Sequence, residues 1–211
     1  MTRLYYTPAA CSLAAHILLE ESGQPYTAIA VDLSKGEQLR PEYLAIHPLG
    51  RVPALVLENG SALTENTAIL PYLAKRHGLW PDDTPEQEAR ALEWIGYLAS
   101  SVHVSFSLIG RAARYSDDKA AHAGINAKGR QLFAEHLARI DTRLVGRSSF
   151  FDRFNAIDAY AFVFYLWGLK RGFEVGGLTH YRRLYDSVLD RPAVQSALRL
   201  EGINPDELRS A

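Results

Sequence analysis

Strand and helix signals alternate over the first third of the chain and then stop, for no segment beyond Pro85 reads as a strand. This change of periodicity restricts the fold to an α/β layer followed by a helical body. Arg3–Tyr6 is a short β-prone run ended by Thr7–Pro8. Leu13, Ile17 and Leu18 then share one face of a helix over residues 12–22, with Gly23 as its stop. "YTAIAVDL" reads as a second strand, so this stretch forms a βαβ unit with an expected right-handed crossover. A short helix is expected from Pro41 to Ile46. Two β-prone runs in "VPALVLENGSALTE" flank Asn59–Gly60, a strong hairpin signal. "ENTAILPYLAKRHG" resumes helical spacing, with Pro71 expected to kink it or to fall where the hydrogen-bond ladder is already irregular.

"GLWPDDTPEQ" has linker composition. It divides the chain into an α/β domain at 1–78, a linker at 79–85 and an all-helical domain at 86–211. A long helix opens with Pro85 in its first turn. "AKGRQLFAEHLARIDTRLVG" is a second helix, with Leu132, Leu137, Ile140 and Leu144 as its apolar stripe. "NAIDAYAFVFYLWGLKRG" is apolar nearly all round and is expected to be the central buried helix. Asn155 and Asp158 there are spaced as a relative of the capping box. "GLTHYRRLYDSVLD" and "RPAVQSALRLEG" complete the helical half.

A formal net charge of -1 argues against a general binder of nucleic acid or of anionic membranes. Pro8, His16, Glu20 and Glu21 interrupt any signal-peptide core, and no stretch has transmembrane length. A cytoplasmic protein is expected. The single cysteine, Cys11, excludes an intrachain disulfide and a structural zinc site built on several thiolates, and no metal is expected. Cys11 stands between a turn and a helix. It reads either as a small buried hydrophobe or as a thiol whose pKa the helix start lowers. No second cysteine is near, so disulfide chemistry would need an external thiol.

Four segments, "LYYTPAACSLAAHI", "HPLGRVPALVLENGSALTENTAIL", "LEWIGYLASSVHVSF" and "FNAIDAYAFV", resemble the glutathione transferase family in order and spacing. The cysteine in the first loop and the histidine in the long helix are most similar to its bacterial beta class. The resemblance spans almost the whole chain. It implies a thioredoxin-like α/β N-terminal domain, an all-α C-terminal domain, glutathione as cosubstrate, and a homodimer. It also implies a site. Cys11 would meet the glutathione thiol, with the hydroxyl of Ser12 as the best-placed rival and Tyr5 and Tyr6 behind it. Val52, ahead of Pro53 in a turn that can be cis, would pair through its backbone with the cysteinyl unit. Glu65 suits the γ-glutamyl ammonium, and the N–H and side chain of Asn66 suit the α-carboxylate. Thr64 and Glu65 equally suit a plain helix cap.

His103 would donate a hydrogen bond to the sulfur. Gly96, Ser100 and His103 are spaced to share one helix face, so Ser100 would add a polar contact. Lys35 would fit the glycyl carboxylate, or is simply solvated. A small hydrophobic electrophile would lie against Val104, Phe106, Leu108 and Tyr165.

The chain departs from the beta-class pattern at Gly96, where asparagine is common, and at His47, where "NPxG" is usual. Its loop around "DLSKGEQLRPEY" also looks shorter, and these changes are expected to weaken glutathione affinity or to mark another thiol ligand. The function implied is glutathione transfer in detoxification, with thiol-disulfide or peroxide chemistry at Cys11 favoured at least equally. The alternatives are a non-catalytic interaction module, which has no need of Glu65, Asn66 and the Val52–Pro53 turn, and a specialised glutathione-dependent isomerase or dehalogenase. Glutathione calorimetry separates the first and substrate profiling the second.

Overall fold

The computed structural model describes residues 1–209. Four strands form one sheet in the order β2-β1-β3-β4: β1 (Thr2–Tyr6), β2 (Tyr26–Ala30), β3 (Ala54–Val56) and β4 (Ala62–Thr64). β1 runs parallel to β2, with Leu4 opposite Ala28, and antiparallel to β3, with Leu4 opposite Leu55. The β3–β4 hairpin turns at Asn59–Gly60 as expected, and Gly60 takes the left-handed backbone (φ 85) that favours glycine there.

Helix α1 (Leu13–Ser22) joins β1 to β2 and ends at Gly23, whose N–H bonds the Glu20 carbonyl at 3.2 Å. Every residue from Leu13 to Leu19 is buried, because α1 packs on α3 (Asn66–Arg76), α7 (Ala156–Lys170) and α9 (Pro192–Leu200). The expected short helix is α2 (Pro41–Leu44). Pro71 lies inside α3, which continues past it to Arg76.

Thr84 caps α4 (Pro85–Tyr97) by accepting the Gln87 N–H at 3.1 Å. A π-helical turn, Leu98–Val102, carries α4 into α5 (His103–Leu108). On α6 (His122–Arg143) the buried stripe is Gly129, Phe133, Leu137 and Ile140. Leu132, assigned to that stripe from spacing, is only half-buried: Phe133 takes the core-facing position beside it.

α7 is the core of the helical half, buried at every position from Ala156 to Gly168. The capping box is present, with Asn155 Oδ1 accepting the Ile157 N–H at 2.9 Å and Asp158 Oδ2 accepting the Asn155 N–H at 3.0 Å. Helix α8 (Thr179–Leu189), α9 and α10 (Pro205–Arg209) close the bundle. No helix among the described residues is long and apolar enough to cross a membrane.

Candidate functional site

The chain leaves β1 through a loop, residues 7–12, that both halves of the molecule hold. Ala9 sits at φ 57. Its N–H donates to Glu201 Oε2 and its carbonyl accepts from Trp167 Nε1, both at 2.8 Å. The other Glu201 oxygen lies 2.9 Å from His16 Nδ1, and both side chains are buried. Ser12 is also fully buried; its hydroxyl accepts the Thr7 N–H at 3.2 Å and donates to the Thr7 carbonyl at 3.3 Å. The expectation that Ser12 rivals Cys11 as activator is corrected, since both capacities of its hydroxyl lock the loop. Tyr6 donates its hydroxyl to the Leu200 carbonyl, 3.3 Å away, and Tyr5 packs edge-on against Tyr43.

Cys11 is 9% exposed, and its thiol donates to the Val52 carbonyl at 3.3 Å. Burial pushes the thiol up to about 12, against the opposing pull of the Arg111 charge and the backbone N–H groups of Cys11 and Ser12. The expected lowered pKa is therefore corrected. α1 begins two residues later, at Leu13, and desolvation outweighs its dipole. The Val52–Pro53 bond is cis. The segment before it is held by Tyr43, whose hydroxyl donates to the Arg51 carbonyl at 2.6 Å and whose ring stacks on His47. His47 Nδ1 accepts the Leu49 N–H at 3.3 Å, the turn-closing bond that an asparagine side chain supplies.

Across from this turn, Glu65 opens α3 with φ 67, a rare backbone conformation for a residue with a side chain. Its carbonyl accepts the N–H groups of Ala68 and Ile69 at 3.0 and 2.9 Å. Its carboxylate is exposed and makes no capping bond, and its charge acts on Cys11. Asn66 does not offer its side chain to a ligand carboxylate: Nδ2 donates to the Cys11 carbonyl at 3.0 Å, and the residue is buried. That call is corrected to a positioning role, with the backbone N–H of the first turn left for an anion.

The π-helical turn changes the face on which the long helix presents its side chains. It widens one turn by a residue, so the regular spacing of Gly96, Ser100 and His103 no longer aligns them. Ser100 is exposed and donates its hydroxyl to the Gly96 carbonyl at 2.8 Å. His103 turns inward, 5.2 Å from the Trp167 ring, with Nδ1 3.3 Å from the Tyr160 hydroxyl. Burial, aided by the charges of Arg111 and Arg51, holds its pKa down to about 4. Burial also raises the pKa of Tyr160, so its hydroxyl stays protonated beside Nδ1.

Beside His103, Trp167 stacks on Phe106 at 4.2 Å. Val104 is exposed and Leu108 packs towards α6 at Gly129. Tyr165 is corrected: it is fully buried, bonds the Val175 carbonyl at 3.1 Å and stacks among Tyr181 and Tyr185. Lys35 lies in the turn Leu33–Lys35, largely exposed and 3.0 Å from Asp32. Spacing gave no warning of Tyr160 or Trp167, although polar tips on an all-buried helix must find partners.

Residues 10–76 match the family described as glutathione S-transferase, N-terminal domain. The chain is 34% identical to glutathione S-transferase GstA of Escherichia coli O157:H7, over 95% of this chain and 99% of that one. A Sulfitobacter glutathione transferase homolog solved with bound glutathione superposes with a TM-score of 0.89 at 31% identity, covering 96% of this chain and 99% of that chain. The bacterial beta class glutathione S-transferase of Sphingomonas chungbukensis superposes at 0.84 with 31% identity, covering 95% and 99%.

Proposed function

The chain belongs to the glutathione S-transferase family and is a glutathione transferase, and we propose how its own residues carry out the transfer. Glutathione lies along the cis turn, its cysteinyl unit pairing with the N–H and carbonyl of Val52 like an added strand. The observation that carries this reading is the Cys11 thiol resting on the Val52 carbonyl, 3.3 Å away, beside the free carboxylate of Glu65. Pairing with the ligand takes that carbonyl from Cys11 and leaves its S–H to donate to the glutathione sulfur. Glu65 receives the γ-glutamyl ammonium, and the first N–H groups of α3 receive the α-carboxylate.

His103 supplies the second donor, its Nε2–H, to the developing thiolate. The thiol proton leaves to solvent, the thiolate attacks the electrophilic carbon, the S–C bond forms and the leaving group departs with its electron pair. Conjugation is placed ahead of thiol exchange because Cys11 is buried and its S–H is held by the Val52 carbonyl at 3.3 Å. The division into domains at 1–78 and 86–211, a two-fold homodimer and a role in detoxification belong to the same proposal.

Calorimetry with glutathione and a conjugation assay on an activated chlorobenzene test it. Glu65→Gln should weaken glutathione binding about tenfold, the loss of one charge-assisted bond. Cys11→Ala should keep conjugation within about tenfold of the parent rate. Abolished conjugation with glutathione binding intact would instead assign Cys11 a covalent role. No binding heat in the parent protein would refute the site.

A further inference from the structure

The His103 ring is held from behind by one face of α7. Tyr160, Phe164 and Trp167 are spaced i, i+4, i+7 on that helix and so lie in a row. The imidazole lies 6.1 Å from the Phe164 ring and 5.2 Å from the Trp167 ring, and Tyr160 packs on Phe164 at 4.7 Å. These rings set where the imidazole sits. They do not set which of its nitrogens carries hydrogen, because that depends on a hydrogen bond. Among the described residues the His103 ring has one such partner, the Tyr160 hydroxyl, 3.3 Å from Nδ1. Nε2 bonds nothing there, and the half-buried ring leaves it open to a ligand.

With its pKa held down to about 4, His103 is neutral at pH 7 and has one N–H to place. Two arrangements are open to the pair. In the first, Tyr160 donates to Nδ1 and the imidazole hydrogen is on Nε2. In the second, Nδ1–H donates to the tyrosine oxygen, and the hydroxyl has to send its own hydrogen elsewhere. Asn66 is the rival acceptor, since it acts on the Tyr160 hydroxyl while its Nδ2 holds the Cys11 carbonyl at 3.0 Å. Its Oδ1, however, is buried and accepts no hydrogen bond. The second arrangement would therefore leave a buried O–H without an acceptor, which is costly. We propose that Tyr160 is a positioning residue for the transfer: its hydroxyl, donating to Nδ1, keeps the His103 hydrogen on Nε2, where it donates to the glutathione thiolate. The proposal rests on the glutathione transferase reading of the same cleft.

Tyr160→Phe keeps the ring and removes the hydroxyl. In the conjugation assay its kcat should fall about tenfold, with the KM for glutathione within about twofold of the parent value. An unchanged kcat would overturn the proposal. A double-mutant cycle separates positioning from packing: in the His103→Gln background the same change should cost less than about twofold. A tenfold loss there as well would overturn the proposal, because Tyr160 would then act without His103. Nitrogen-15 NMR of the histidine-labelled protein at pH 7 reads the hydrogen directly, the His103 signals being those absent from His103→Gln. The hydrogen should be on Nε2 in the parent and spread over both nitrogens in Tyr160→Phe. A hydrogen on Nδ1 in the parent would overturn the proposal and give the tyrosine proton to Asn66. So would an Nε2 hydrogen unchanged in Tyr160→Phe. The spectrum needs no turnover, so a parent protein without conjugation would refute the transferase reading while the hold of Tyr160 on His103 is still decided by NMR.

Discussion

The carboxylate of Asp158 ties the start of the buried helix α7 to the loop before it, and its removal has a cost that can be worked out bond by bond. Oδ1 accepts the Phe150 N–H at 2.9 Å. Oδ2 accepts the Asn155 N–H at 3.0 Å, the Ser149 hydroxyl at 2.8 Å and Asn155 Nδ2 at 2.8 Å. Asp158, Asn155, Ser149 and Phe150 are all buried, so water does not replace these bonds. Asp158→Ala strands two backbone N–H groups at about 1–3 kcal/mol each, and loss of the reciprocal cap adds about 1 kcal/mol. The expected total is about 3–7 kcal/mol, a large part of the roughly 5–15 kcal/mol that holds a protein folded. At about 2–4 °C per kcal/mol for a chain of this size, Tm should fall by roughly 10 °C. Urea unfolding followed by far-ultraviolet circular dichroism and by tryptophan fluorescence measures the loss. A change below about 1 kcal/mol would refute the reasoning, because it would mean that the donors find partners without the carboxylate.

Two further outcomes follow from the packing and charge of the site. His103 has a folded pKa of about 4, against about 6.5 for an unfolded histidine. The unfolded chain therefore binds a proton that the native one does not between these values, and stability rises with pH across that window. Urea unfolding at pH 4.5 and 7 should show His103→Gln losing less stability on acidification than the parent, by about 2 kcal/mol; equal losses would contradict it. A Cβ at Gly129 would lie 2.6 Å from Leu108 Cβ and 3.1 Å from the Ser105 carbonyl, whereas one at Gly96 meets nothing within 4 Å. Gly129→Ala should thus lower stability by about 1–2 kcal/mol despite its better helix propensity, and Gly96→Ala should raise it by about 0.5–1 kcal/mol. Paired thermal melts check the opposite signs.

Much of the scaffold was legible from short-range signals. The Asn59–Gly60 turn, the Gly23 stop, the Pro85 first turn and the Asn155–Asp158 cap each depend on neighbours a few residues apart, and each stands where spacing put it. The continuous apolar run of α7 announced its own burial. The site was less legible. For Cys11, Val52, Glu65 and His103 the residue type and place in the chain were readable, but the state of each group was not. The Cys11 thiol lies high because burial desolvates it, and neighbours that surround it, the Val52 carbonyl among them, come from distant segments. The direction of His103 depends on one extra residue in the Leu98–Val102 turn, which leaves no mark on apolar spacing.

Ser12, Asn66 and Tyr165 teach the same lesson from the other side. Their residue types suited a ligand, but the Ser12 hydroxyl, Asn66 Nδ2 and the Tyr165 hydroxyl are bonded to Thr7, Cys11 and Val175, so they brace the structure. By itself the sequence determined the order of strands and helices, their caps, and the residues able to do thiol chemistry, because propensity and capping act over one or two turns. Only the tertiary structure decided which of those groups are charged, which donate and which are merely packed. Desolvation and hydrogen-bond completion sum over everything that folding brings near a group, and in this chain that includes Glu201 and Trp167 holding the loop that carries Cys11.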